Sequence, residues 1–309
     1  NLCATLDRID GVEVNRVFST TLRNEYSPWI KEADVIYHLA GVNRPKDPSE
    51  FVTGNTNFTR EILELTAEGG IVPAVVISST TQAVKDNDYG KSKRAAEELI
   101  EEYASNGKIH GAIYRLPGVF GKWSRPNYNS VVSTFCYNVA NELPLEVRDP
   151  SFALPLVYID DVVQAFLSHL NSRFQGLGNF EVTPVFHTTL GEIADIISSF
   201  PELRKSLRAP KVGKGLEKRL YSTYLSFLPT DKFSYPMELK KDNRGDLFEW
   251  IKSEDFGQIF VSTTKPGITR GNHYHHTKTE KFLVIRGEAE IGFRQINSDQ
   301  VITYKVNGS

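Results

Sequence analysis

Apolar residues recur with two different rhythms along this chain, and the rhythm changes near residue 230. In the first part, short apolar runs alternate with amphipathic stretches. Val12 to Phe18 predicts a strand, and Asp34 to Ala40 another, closed by Gly41. Helical spacing over Thr56 to Glu68 stops at the pair Gly69-Gly70. Val72 to Ile77 is the nearly continuous apolar run of a strand covered on both faces. A helix over Tyr89 to Ser105, a strand over Ile109 to Leu116, and helices over Ser130–Leu143 and Asp160–Leu170 continue the alternation. Strand and helix in turn, without hairpin signals between them, predict βαβ units. The fold class of residues 1–230 is therefore an α/β, Rossmann-like parallel-sheet domain.

Beyond Leu228-Pro229-Thr230 the period becomes two. Gln258–Ser262, Glu280–Arg286 and Glu288–Phe293 alternate in and out between glycine turns. This predicts an all-β second domain over 231–309, a barrel or jelly roll. The basic stretch Lys205–Lys218 reads as a solvated loop.

Composition narrows the function classes. The 309 residues fit about two domains. With 36 basic against 38 acidic side chains, nucleic acid and anionic membranes gain no electrostatic support as partners. No apolar run is long enough to span a membrane. Two cysteines make no disulfide framework, and a cytoplasmic location is expected. The opening Asn1-Leu2-Cys3-Ala4 lacks the basic and apolar regions of a secretory leader.

Two clusters carry chemistry. Gly267, His273, His275, Glu280 and Gly287 fall within one short segment of the β region. On a strand, His273 and His275 share a face while Tyr274 points away, and Glu280 follows from the next strand. Two imidazoles and a carboxylate suit Zn²⁺ or another divalent ion. In the α/β region, Tyr89 and Lys93 stand four apart at a helix start, hence on one face. The spacing alone says little, since Tyr274 and Lys278 repeat it. The context is Ile77-Ser78-Ser79-Thr80-Thr81, which places hydroxyls at the carboxyl end of a parallel strand, where ligands bind. A phenol is a poor acid–base group at neutral pH until an ammonium stabilises its anion. Tyr89 and Lys93 can form that pair, with a hydroxyl of Ser79 or Thr80 holding a substrate oxygen.

These segments resemble the extended short-chain dehydrogenases/reductases. Asp34–Gly41 is similar to their D-x-x-x-H-L-A-[AG] strand, and Asn55-Thr56 to a helix start. Tyr89–Lys93 is similar to Y-G-x-S-K, Tyr114–Gly121 to R-x-x-N-V-Y-G, and Tyr158–Val162 to Y-V-D-D-V. The resemblance implies Thr80, Tyr89 and Lys93 as catalytic residues. It also places His38, Leu39, Ala40, Asn55 and Lys93 along a nicotinamide cofactor. Gly118 stands where the family has Asn. Ser19-Thr20, with Arg23 nearby, occupies the place where an NAD enzyme carries an acidic residue, so NADPH is the expected cofactor. The histidine cluster resembles the first motif of the cupin superfamily, which implies a small barrel with a metal held by His273, His275 and Glu280. The sequence shows neither a glycine-rich phosphate loop ahead of the sheet nor a second cupin motif, so both domains read as incomplete, one at each end of the chain.

Reductase followed by cupin, with Pro126–Val131, Leu220–Leu225 and Lys265–His273, resembles bifunctional enzymes of capsular polysaccharide biosynthesis. The resemblance implies a UDP-sugar substrate and a homodimer. The cupin would epimerise a UDP-4-keto-6-deoxy-N-acetylhexosamine beside its ketone. The reductase would then reduce that ketone, toward UDP-N-acetyl-L-fucosamine. Two other classes compete: a non-catalytic NADP sensor, and an active reductase whose cupin serves only as a structural or dimerisation module.

Overall fold

The computed structural model describes residues 1–170, 174–213 and 215–308. The chain divides into two compact units. One comprises Asn1–Glu238 with Phe248–Val261, the other Leu239–Leu247 with Ser262–Ser309.

In the first unit α1 (Leu2–Leu6) and α2 (Arg23–Glu32) lead to β1 (Val35–His38), followed by α3 (Ser49–Phe51), a π-helical turn over Val52–Asn57, and α4 (Phe58–Glu68). Next come β2 (Ala74–Thr80), α5 (Asp88–Ser105), β3 (His110–Leu116), β4 (Gly118–Phe120) and α6 (Val131–Ala140). Then follow β5 (Ala153–Tyr158), α7 (Ile159–Leu167), β6 (Leu177–Phe180), β7 (Phe186–Thr189), α8 (Leu190–Lys205) and α9 (Leu216–Leu225). Strands β1-β2-β3-β6 form a parallel sheet in that order, as the alternation predicts. The period of two sorts its side chains between two cores. Val75 and Ile77 of β2 join Leu63, Leu99 and Ile100 on one face. Val76 joins Ala112, Tyr114, Val162 and Phe166 on the other. A second sheet, β4-β5-β7, mixes parallel and antiparallel pairs and closes a third core with α6, α8 and α9. The sequence pattern does not separate it, because β4 is only three residues long and follows β3 after a single residue.

Val12–Phe18 corrects the sequence reading: it carries no strand. Its apolar residues are used all the same, Val12 and Val14 against the core beside Val76 and Val17 against the opposite one. A strand requires a ladder partner, and among the described residues β1 pairs with β2 alone. Lys205–Lys218 is likewise only partly a loop, since α9 begins at Leu216; Lys214 lies outside the described residues.

The chain then continues through β8 (Lys240–Asp242), β9 (Gly245–Ser253), β10 (Gly257–Ser262), β11 (Gly287–Arg294) and β12 (Val301–Gly308). Sheet order is β10-β9-β8, and β11 and β12 make a separate antiparallel hairpin. In the second unit, Ile291 faces Tyr304 and Phe293 faces Ile302 across that hairpin. The predicted strand over Glu280–Arg286 is absent: residues 267–286 form no ladder. Alternation sets which face a side chain takes, but pairing needs a neighbour. Among the described residues, no helix is long and apolar enough to cross a membrane.

Candidate active site

The catalytic trio predicted from sequence comes together at the carboxyl end of β2. Asn87 caps α5 by accepting the Gly90 N–H at 2.7 Å, which fixes where the helix starts. A Cβ at Gly90 would strike the Gln82 carbonyl, so glycine lets α5 press against the tight turn Thr81–Val84. That approach brings the Tyr89 phenol to the Thr80 hydroxyl. Burial raises the Tyr89 pKa and the bond to Thr80 draws it part of the way back, so the phenol keeps its proton at neutral pH.

Lys93, one turn further along α5, is 6% exposed, and its Nζ donates to the Ser78 carbonyl at 2.7 Å. Burial pulls its pKa down to about 8, against the opposing charge of Glu97. The ammonium therefore survives at neutral pH close to its titration point.

The residues assigned to cofactor lie around this pair. His38 ends β1, buried, with Nε2 2.8 Å from Thr59 Oγ1. Thr59 spends its only hydroxyl hydrogen on the Asn55 carbonyl, so His38 Nε2 carries the proton and donates. Desolvation holds its pKa down at about 4, with the Lys93 charge acting in the same direction. Leu39 and Ala40 are exposed at the strand end. Asn55, 1% exposed, accepts from Val42 N (2.7 Å) and donates to Val42 O (3.0 Å) and Ser92 Oγ (2.9 Å), pinning the loop after β1 to α5. Arg23 stands apart, in the first turn of α2, with Nε 3.0 Å from Glu61 Oε1. It lines an open groove of about 590 Å³ with Leu22, Asn24, Ser27, Leu65 and Glu68.

Sequence reasoning missed Glu97, which closes the site from beneath. It is fully buried, takes the Ser79 hydroxyl and both nitrogens of an Arg115 fork, and also meets Arg94. The available signal was its spacing, four residues after Lys93 on the same helix face. At Gly118 a Cβ would lie 2.9 Å from Leu156 Cδ2 and 3.2 Å from the Pro155 carbonyl, so a larger residue there requires the Leu156 side chain to shift.

In the second unit, one potential ligand atom from each of His273, His275 and Glu280 lies within 4.8 Å of the others. The imidazoles meet edge to face at 4.9 Å, while His276 turns aside onto Tyr274 at 5.2 Å. Glu280 accepts from Lys278 at 2.7 Å, and that bond, with the Lys278 charge, holds its pKa below the usual carboxylate range.

Comparison with known proteins places this geometry. Residues 18–180 match the NAD dependent epimerase/dehydratase family, and 240–309 match the polysaccharide biosynthesis C-terminal domain. UDP-2-acetamido-2,6-beta-L-arabino-hexul-4-ose reductase of Pseudomonas aeruginosa is 44% identical over 308 residues, covering 100% of this chain and 83% of that protein. The crystal structure of capsular polysaccharide assembling protein CapF from Staphylococcus aureus superposes with a TM-score of 0.90 at 42% identity, over 99% of this chain and 84% of that one. UDP-glucuronic acid 4-epimerase from Bacillus cereus, in complex with UDP-glucuronic acid and NAD, shares the fold at 18% identity and TM-score 0.55, covering 66% of this chain and 78% of that one. By the family match over residues 18–180 and by its 44% identical relative, the chain, with α5 and its Tyr89 and Lys93 packed on a parallel sheet, belongs to the NAD dependent epimerase/dehydratase family.

Proposed function

We propose that the chain is a bifunctional nucleotide-sugar enzyme of capsular or surface polysaccharide biosynthesis. Its α/β unit reduces the 4-ketone of a UDP-6-deoxy-N-acetylhexosamine with NADPH, and its β unit, a cupin, first epimerises the sugar beside that ketone. The product lies toward UDP-N-acetyl-L-fucosamine, and the working form is a cytoplasmic homodimer. The names of the Pseudomonas and Staphylococcus relatives support the ketose reductase and the capsular parts of this reading.

The observation that carries it is the buried Lys93 ammonium one helical turn from the protonated Tyr89, which in turn meets Thr80. Thr80 and Tyr89 present two hydroxyls to a carbonyl oxygen. As charge develops on that oxygen, Tyr89 gives up its proton to it, and the Lys93 charge offsets the phenolate left behind. Nicotinamide supplies the hydride when bound, and Lys93, Asn55 and the segment His38–Ala40 would hold it. The hydrogen on His38 Nε2 is already committed to Thr59, so His38 supports the fold of the site rather than proton transfer. Ser19-Thr20 carries no carboxylate to repel a 2′-phosphate, and Arg23 would have to exchange Glu61 for that phosphate to pair with it.

A 4-ketone acidifies the protons on its neighbouring carbons, so epimerisation precedes reduction, which then locks the new centre. His273, His275 and Glu280 would hold Zn²⁺ or another divalent ion, which supplies Lewis acidity or rigidity there.

The test incubates the protein with the UDP-4-keto sugar and NADPH in deuterium oxide. NADPH consumption with deuterium at the epimerised carbon is expected, with kcat/KM higher for NADPH than for NADH. No turnover would return the sensor reading. Turnover without deuterium would leave the cupin a structural module.

A further inference from the structure

Two guanidinium groups converge on one tyrosine ring beside the reductase site, and neither has a carboxylate. Arg44 Cζ lies 5.7 Å and Arg125 Cζ 5.1 Å from the centroid of Tyr128. Among the described residues, neither guanidinium makes an ion pair or a side-chain hydrogen bond. Other arginines in the same unit are committed, Arg219 to Asp161, Arg115 and Arg94 to Glu97, Arg148 to Glu146; what sets Arg44 and Arg125 apart is that two unpaired guanidiniums share one ring. Like charges gathered on one ring repel, and here no acidic side chain offsets them.

The two loops that carry these arginines are built rather than loose. Arg44 follows β1 by way of Val42, whose N–H and carbonyl are both held by buried Asn55. Arg125 follows β4 in a turn with Trp123 and Asn127 in the left-handed region, at φ of 64° and 54°. Ser124 Oγ donates to the Gly121 carbonyl at 2.7 Å, and the Asn127 N–H donates to Thr134 Oγ1 at 3.0 Å, tying that turn to α6. The Tyr128 hydroxyl joins the loops by donating to Asn43 Oδ1 at 3.2 Å. The site is near the chemistry. A Cβ placed on Gly41, three residues before Arg44, would sit 3.7 Å from Lys93 Nζ.

Both loops leave the carboxyl ends of parallel strands, where α/β sheets take their ligands. They belong to different sheets, β1-β2-β3-β6 and β4-β5-β7. The residues assigned to cofactor all precede or follow strands of the first sheet alone. A ligand that also reaches the β4-β5-β7 sheet extends past the residues assigned to cofactor, as a substrate does when its carbonyl meets Tyr89 and its remainder runs outward. Guanidinium forks match phosphate oxygens two at a time.

We propose that Arg44 and Arg125, spaced by the Tyr128 ring, clamp the diphosphate of a nucleoside-diphosphate sugar. The inference rests on the nucleotide-sugar reading above and adds the residues that would recognise that class.

The experiment measures UDP and inorganic pyrophosphate binding by calorimetry, together with steady-state kinetics, on the whole protein and on Arg44→Gln, Arg125→Gln and Arg148→Gln. Each clamp variant should weaken UDP binding about ten- to a hundredfold, the usual range for a lost charged hydrogen bond, and raise KM for the nucleotide sugar alike. KM for NADPH should not move, and Arg148→Gln should behave as the parent. Arg44→Lys, which keeps charge without a fork, should recover part of the loss. Thermal melting confirms that the variants are folded. Unchanged UDP affinity in both clamp variants, with the parent still reducing the sugar, overturns the clamp alone. A rise in KM for NADPH with UDP affinity unchanged overturns it in favour of a cofactor phosphate. If the parent reduces no nucleotide sugar, the functional reading fails. The clamp is then judged by calorimetry alone, and it falls if the parent binds neither UDP nor pyrophosphate.

Discussion

Glu97 and Arg115 join α5 to β3 beneath the helix turn that carries Tyr89 and Lys93, through a carboxylate with no solvent exposure and a guanidinium 35% exposed. Burial alone would push the Glu97 pKa up; the hydrogen bonds from Arg115 and Ser79 overcome it, so the net shift is downward. The pair thus sets a fixed negative charge one turn from Lys93 and holds Ser79, the residue before Thr80, at the same time.

Removing that charge should cost both stability and tuning. Glu97→Gln leaves Arg115 and Arg94 without their buried partner. Breaking such pairs costs about 3–5 kcal/mol when both groups are sealed off. Because both arginines keep roughly a third of their exposure, the lower end of about 3 kcal/mol is expected, read as a shift in the urea midpoint at constant slope. A change below about 0.5 kcal/mol would show that Glu97 holds little.

Reduction should be lost as pH rises through about 8. The working form carries Lys93 as ammonium, and its pKa stands at about 8 in the free protein, the state that kcat/KM reports. In Glu97→Gln the midpoint should move to lower pH, because the charge that favours the ammonium is gone. A pH profile with the same upper limb in both proteins would contradict this link.

Tyr89→Phe removes the proton donor and keeps the ring that packs on Phe51 at a centroid distance of 5.7 Å. Reduction should fall about 10²–10⁴-fold, the usual cost of losing a general acid. Deuterium exchange into the sugar should continue, since it belongs to the other unit. Loss of both activities together would refute the division of labour.

Acid should weaken the fold through His38. Its folded pKa of about 4 lies below the ordinary 6.5, so between these values the unfolded chain binds the extra proton. Stability is therefore full above pH 6.5, declines as pH falls toward 4, and levels below. The whole effect is on the order of 3 kcal/mol. Thermal melting of the parent and of His38→Asn across this window checks it: the variant should start lower and fall less.

Metal content should follow the geometry of the second unit. His273→Ala removes one of three converging donors and should lose a bound divalent ion, whereas His276→Ala, which removes a ring set edge to face against Tyr274, should retain it. Chelation of the loaded protein should also lower its melting temperature, because binding and folding are linked. Elemental analysis showing equal metal in both variants would mean that the ligands are wrongly assigned.

Local pattern determined much of this protein by itself. The parallel sheet was legible because β2 and β3 are buried on both faces along their middles, which favours apolar runs such as residues 74–77 and 111–114. Tyr89, Lys93 and Thr80 were legible because helical spacing and the strand end fix their neighbourhood within a few residues. His273 and His275 were legible as neighbours because alternation brings them to one side even where no ladder forms. Tertiary structure decided the rest. Val12–Phe18 has the composition of a strand, yet strand formation depends on a partner elsewhere in the chain, and no local period reports one. Glu97 and Arg115 lie 18 residues apart, and Arg44 meets Tyr128 across 84 positions, so only packing shows that one pair is closed and the other open. A charged side chain looks the same in sequence whether it is buried in a pair or waiting for an anion; what differs is the distance to the nearest opposite charge, which the fold alone sets.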